Sequence, residues 1–143
     1  CALALSYSIG LYLCLFISLA FPTLGAMFTH PEWFESISGL SSGDLAVFLN
    51  TAVLDYARQP GTVYACAGIS AMPSYHIYAS MAGLMYWRWL PRGFQLFGIT
   101  LFLLTWISTF VLGWHYVLDG AVAIIMAYVV TTVLQQCPRW SLK

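Results

Sequence analysis

Residues 94–135 read "FQLFGITLFLLTWISTFVLGWHYVLDGAVAIIMAYVVTTVLQ", and a single ionic side chain, Asp119, interrupts them. A bilayer crossing takes about 20 residues of apolar helix, so this stretch holds two spans, Phe94 to Leu112 and Tyr116 to Gln135. Upstream, about Tyr75 to Leu90 forms another apolar run, closed by Pro91 and Gly93, and about Ala2 to Phe21 runs without a charge to Pro22 and Gly25. Four spans are expected. The whole composition agrees: of 143 residues, 61% are hydrophobic and 7% charged, with a mean hydropathy of +0.81. A water-soluble domain of this size needs far more charge on its surface, which excludes that class. The expected fold is all-α, a polytopic transmembrane helix bundle in a single membrane domain over residues 1–143.

The formal net charge is zero, which leaves no electrostatic footprint for nucleic acid; membrane lipids are the expected surroundings. Six Trp, nine Tyr and nine Phe suit interfacial belts and packed lipid-facing helices. Cys1, Cys14, Cys66 and Cys137 lie without metal-like or disulfide-like spacing and read as small apolar side chains. The chain opens at Cys1 with no initiator Met, so a preceding N-terminal part is expected. No basic region precedes the first apolar run and no clear cleavage site follows it, so that run does not read as a signal peptide.

Residues 22–74 have different habits. "FPTLGAMFTHPEWFESISGLSSGD" is rich in turn formers and carries Glu32, Glu35 and Asp44. After it, Leu45, Phe48, Leu49, Ala52, Val53 and Tyr56 recur at helical spacing, with a capping residue at Ser42 or Asp44 and a stop at Pro60-Gly61. This predicts an amphipathic surface helix between the first and second spans. Arg88 and Arg92 lie between the second and third spans, and Arg139 and Lys143 follow the fourth, in residues 136–143. Tracing the chain across the bilayer puts all four on one face, cytoplasmic by the positive-inside rule. Glu32, Glu35, Asp44 and Asp55 fall on the other.

"GISAMPSYHIYAS", residues 68–80, places His76 at the start of the second span, and His115 starts the fourth 39 residues later. That separation is about one crossing down and one back, so both histidines surface at the non-cytoplasmic face. Asp119 lies four residues beyond His115, which on a helix puts carboxylate and imidazole on one face. Ionisable groups in membrane segments are costly and point to function. Such a trio supports nucleophilic catalysis by histidine, with a carboxylate fixing the tautomer and a second histidine protonating a leaving oxygen. Pro73 and Ser74 add a hydroxyl and backbone N–H groups at a helix N-terminus, a good place for an anion. Two other readings stay open: a structural His115–Asp119 pair that fixes helix packing, and a zinc site of His76, His115 and Asp119. His30, in "FTHPEW", reads as an interfacial anchor.

These residues resemble a known family. "AMPSYHIYAS" resembles the Pro-Ser-x-His motif of the type 2 phosphatidic acid phosphatase superfamily, and "STFVLGWHYVLDG" resembles its Ser-Arg-x5-His-x3-Asp motif, with Ser108, His115 and Asp119 in register. The wording around both motifs is most similar to the branch that includes inositol phosphorylceramide synthase. The resemblance covers about Gly68 to Val130. It implies that His115 is a nucleophile forming a phosphohistidine, that Asp119 orients it, that His76 is the general acid, and that Ser74 helps hold the phosphate. It also implies a site open to the periplasm, lumen or exterior, a lipid phosphate substrate, and no metal or organic cofactor.

The chain departs from that pattern where cations are expected. Thr109 stands in place of the arginine after Ser108, and the family's Lys-x6-Arg-Pro motif is not recognisable. In "YARQPG" Arg58 is the nearest match, but Thr51 occupies the lysine position and Gln59 separates arginine from proline. A charged clamp on a phosphoryl group contributes a few kcal/mol, so a site without cations is slower by roughly a hundredfold or more. Arg58 is thus the candidate phosphate contact, beside Ser74 and Ser108. The expected function is a membrane phosphatase or phosphotransferase acting on a lipid-linked phosphate ester or pyrophosphate. The alternatives are a non-catalytic lipid-binding or assembly subunit that has lost its cations, and a membrane zinc hydrolase.

Overall fold

The computed structural model describes residues 2–21, 23–37, 39–58 and 71–137, and the side chains of residues 42 and 52–57 lie outside that description. The chain forms α1 (Ala2–Ala20), a short α2 (Ala26–Thr29), a 3-10 helix (Pro31–Ile37), α3 (Ser41–Arg58), α4 (Tyr75–Trp87), α5 (Arg92–Val111) and α6 (Val117–Gln136). The described residues contain no strand. Helices α1, α5 and α6 are long and apolar enough to cross a membrane.

The expected second span is the exception. Its helix, α4, has 13 residues, about 20 Å at 1.5 Å per residue, against a hydrocarbon core of about 30 Å. The apolar run continues through Trp89 and Leu90, but the backbone turns at Arg88. There the Gln95 side chain donates to the carbonyls of Arg88 (3.0 Å) and Leu90 (2.7 Å), satisfying acceptors that the helix end leaves open. Arg88 also donates from Nη2 to Gln135 Oε1 at 2.6 Å and lies over the Trp89 ring. Among the described residues three helices, where four spans are expected, are therefore long and apolar enough to cross.

α4 is nevertheless the centre of the bundle, packed against α1, α5 and α6, while α1 also meets α6. Ile77, Tyr78 and Ala82 of α4 form the core with Cys14, Ala123 and Ala127. Lipid supplies no hydrophobic drive between helices, so close approach depends on small residues and interhelical hydrogen bonds. Both are present. A Cβ on Gly10 would overlap the Tyr78 ring, and one on Gly120 would meet Trp106 and Ile77. Beside them, the Tyr78 hydroxyl donates to the Ser6 carbonyl at 3.0 Å, and Ser6 Oγ lies 3.3 Å from Thr131 Oγ1, linking α1, α4 and α6.

The predicted amphipathic helix is α3. It begins at Ser41, before either expected cap. The Leu40 carbonyl accepts the first N–H bonds, from Gly43 (2.8 Å) and Asp44 (3.1 Å), and Asp44 sits in the first turn, where the helix dipole favours an anion. Ala46 and Leu49 are buried, whereas Leu45 and Phe48 face outward. The predicted stop at Pro60-Gly61 lies outside the described residues, as do Cys1, Cys66, Arg139 and Lys143.

Candidate active site

The sequence "VLGWHYVLDG" folds as a helix end, a turn and a helix start. α5 stops at Val111, and Gly113 adopts a φ of +72°, a backbone region that only glycine enters at little cost. The N–H groups of Trp114 (3.1 Å) and His115 (3.3 Å) return to the Thr109 carbonyl, closing the end of α5. His115 is thereby left two residues short of α6, and Tyr116, in extended backbone, is the N-cap. The expected shared helical face of His115 and Asp119 does not form. Asp119 is the third residue of α6, and its Oδ2 accepts the Tyr116 N–H at 2.7 Å, one half of a capping box.

This changes what holds His115. Its Nδ1 lies 2.6 Å from the carbonyl oxygen of Ala71 and 3.8 Å from Asp119 Oδ2. A carbonyl oxygen only accepts, so Nδ1 carries the proton and donates to Ala71. Nε2 then keeps its lone pair. The two side chains are largely enclosed, 12% and 5% exposed.

Ala71 opens the segment that carries the other motif. Ser74 is the N-cap of α4, fully buried, yet its Oγ has no hydrogen-bond partner among the described residues. Buried hydroxyls almost always find one. This one sits where N–H groups of a helix start point outward, the geometry that binds anions. His76 follows in the first turn of α4, exposed, its ring free of hydrogen bonds to described residues. The Ala71–His115 bond thus ties the Ser74–His76 segment to the histidine loop.

The side chains of the remaining candidates form no hydrogen bond to Ser74, His76 or His115 among the described residues. Ser108 is exposed on α5 and donates to the Thr105 carbonyl at 2.9 Å within its own helix. Thr109 does the same toward Trp106, also at 2.9 Å, so its hydroxyl is no substitute for the missing arginine. Arg58 ends α3, exposed and without an ion pair among the described residues. His30 stacks on Trp33 at 4.2 Å and lies 3.4 Å from Glu32 Oε1, a surface arrangement. No group of three His, Cys, Asp or Glu residues among those described is arranged to hold a metal ion, which leaves the zinc reading without a ligand set there.

Two contributors escaped the sequence reading: the Ala71 carbonyl and Thr23. Thr23 accepts the Ala71 N–H on its carbonyl (2.8 Å) and the Met72 N–H on its Oγ1 (2.9 Å). A backbone acceptor leaves no signature in residue type, and a threonine in a turn-rich loop looks like any other. The connection after α1 also buttresses the histidine loop. Met27 N–H donates to the Gly113 carbonyl at 2.8 Å, Phe34 and Met27 pack where a Cβ on Gly113 would stand, and the Thr29 hydroxyl bonds that of Tyr116.

No curated protein and no solved structure matches the chain. A family match, in contrast, runs over residues 2–133, almost the whole chain, and includes α1 and the connection beyond it as well as both histidine motifs. The chain belongs to the PAP2 superfamily.

Proposed function

We propose that this protein is an integral membrane phosphatase or phosphotransferase that acts on a lipid-linked phosphate ester or pyrophosphate through a phosphohistidine on His115. Membership of the PAP2 superfamily supports a phosphatase-type lipid phosphate hydrolase in general. The observation that carries the finer reading is the Ser74 hydroxyl, buried and unpartnered at the N-terminus of α4, on the segment bonded to His115. A phosphoryl oxygen is the kind of acceptor that such a hydroxyl and helix start lack.

In this mechanism Nε2 of His115 attacks phosphorus, and an N–P bond forms as the P–O bond to the leaving group breaks. The leaving oxygen takes a proton from His76. Water or an acceptor alcohol then gives its proton back to His76 and attacks the phosphohistidine, which releases His115 and phosphate or the transferred ester. Asp119 stabilises the positive ring of the intermediate from 3.8 Å. The resemblance to the inositol phosphorylceramide synthase branch leans toward transfer. The site faces the periplasm, lumen or exterior, because Arg88 and Arg92 lie at the other end of α4 and α5. Arg58 is the candidate cation for the phosphoryl group.

One observation favours a second reading, a non-catalytic lipid-binding relative: the Thr109 hydroxyl bonds its own helix, so nothing there replaces the arginine. Phosphate release from a panel of lipid phosphates and pyrophosphates, measured on purified protein in detergent, separates the two. Release by the wild type that vanishes in His115→Ala is expected. Equal release by both proteins would end the phosphohistidine mechanism, and no release with or without an added alcohol acceptor would favour the binding protein.

A further inference from the structure

Three hydrogen bonds converge on the two residues before Pro73. Thr23 takes the Ala71 N–H on its carbonyl and the Met72 N–H on its hydroxyl, and Ser18 Oγ donates to the Met72 carbonyl at 3.1 Å. The peptide plane between Ala71 and Met72 is thus gripped from its N–H side by Thr23, and its carbonyl is the group that accepts from His115 Nδ1 at 2.6 Å. Rotation of that plane would carry the carbonyl away from the ring. The carboxylate expected to perform this task is elsewhere engaged: Asp119 Oδ2 is 2.7 Å from the Tyr116 N–H and 3.8 Å from Nδ1.

We infer that Thr23 is a positioning residue for His115, holding the Ala71 carbonyl so that the imidazole proton sits on Nδ1 and Nε2 is the nucleophile, while Asp119 serves as the cap of α6. This rests on His115 being the nucleophile proposed above. Partners that orient an imidazole through its other nitrogen set its tautomer, and their removal costs function roughly 10- to 100-fold. The groups facing the ring nitrogen are then one backbone carbonyl at bonding distance and one carboxylate beyond it. A turn residue just after the first span thereby controls a histidine more than 90 positions away.

The test is nitrogen NMR of histidine-labelled protein in detergent micelles, with His115 assigned by the signals lost in His115→Gln. The wild type is expected to show His115 protonated on Nδ1. Thr23→Val keeps the side-chain shape but removes the acceptor of the Met72 N–H. It is expected to shift the proton toward Nε2 and to lower turnover roughly tenfold with KM little changed. Thr23→Ser restores both. Asp119→Asn keeps the Nδ1–H form, because an amide oxygen still caps Tyr116. An unchanged tautomer in Thr23→Val, or its loss in Asp119→Asn, would overturn the inference. Should Thr23→Val not fold, Thr23→Ala, which removes the same acceptor of the Met72 N–H, is read in its place with the same expected shift. Absence of turnover in the wild type would remove the phosphohistidine reading and leave the tautomer result standing.

Discussion

α4 and α5 are neighbours in sequence and equally apolar to the eye, yet they solve opposite problems. α5 has 20 residues, and only 6% of its apolar window is buried inside the protein; Gly98 is its sole buried residue among those described. α4 has 13 residues and buries Ile77, Tyr78, Ala82, Gly83, Met85 and Tyr86. A helix surrounded by lipid must itself cover the hydrocarbon thickness, because every backbone group at its ends needs a partner that lipid does not supply. One wrapped in protein can stop short, since side chains such as Gln95 meet its last carbonyls. The short helix then brings its N-terminus, with the buried Ser74 and the exposed His76, to the segment bonded to His115. Hydropathy makes α5 legible, but contacts make α4 useful.

The largest effect is expected where α4 has least room. Gly10 of α1 meets the Tyr78 ring directly, so Gly10→Leu must push that ring aside and break its bond to the Ser6 carbonyl. Overpacking usually costs about 1–3 kcal/mol, and the loss of the buried tyrosine's hydrogen bond brings the expected total to about 3 kcal/mol or more. Thermal or SDS-induced unfolding in detergent measures it. A wild-type midpoint would mean that α1 and α4 do not pack as described.

Ser74→Ala is expected to separate function from stability. The hydroxyl has no hydrogen bond to lose among the described residues, so unfolding should be unchanged or slightly harder. Removing one donor aimed at a developing oxyanion costs about 100-fold in turnover, or about 2.7 kcal/mol. Phosphate release and the unfolding midpoint, read on the same preparation, give both numbers. Lost stability with turnover intact would make Ser74 a structural residue of α4 and remove the main support for phosphate at that helix start.

What the sequence made legible follows the same divide. Long spans are additive sums of hydropathy, so α1, α5 and α6 stand out without knowledge of their neighbours. The apolar pattern overstates the length of α4, because Trp89 and Leu90 continue it while Gln95, a residue of the next helix, meets the carbonyls at the turn. For the candidate site, the sequence names His76, His115, Asp119 and Ser74 by type and spacing. It leaves their geometry open. Four-residue spacing suggested one helical face for His115 and Asp119, but the turn at Gly113 delays α6 until Val117. On α3, Ala46 and Leu49 are buried while Leu45 and Phe48 face outward, a choice that periodicity alone leaves open.

A smaller effect sharpens the polar side of the comparison. Thr131 on α6 is fully buried and bonded to Ser6, the residue whose carbonyl takes the Tyr78 proton. Thr131→Val keeps its volume and removes the hydroxyl. Interhelical hydrogen bonds in membranes average about 0.6 kcal/mol, with a ceiling of about 1.7, because the separated helices also find partners. A loss of that size in the unfolding free energy is expected. A loss of about 3 kcal/mol would make the Ser6, Tyr78 and Thr131 cluster a cooperative network and place it beside Gly10 in importance.

The smallest effect belongs to α5. Leu104 is 58% exposed on that helix, and in a bilayer its side chain exchanges contact with protein for contact with acyl chains of equal polarity. Leu104→Ala therefore leaves no cavity and exposes no polar group, and surface changes of this kind stay within about 0.5 kcal/mol. The same logic covers Ile107 one turn away, 57% exposed, so the double variant should remain close to wild type in midpoint and turnover. A loss comparable with that of Thr131→Val would mean that this face of α5 is covered by protein in the membrane. α5 would then join α4 as a buried helix, and its length would no longer follow from its contact with lipid.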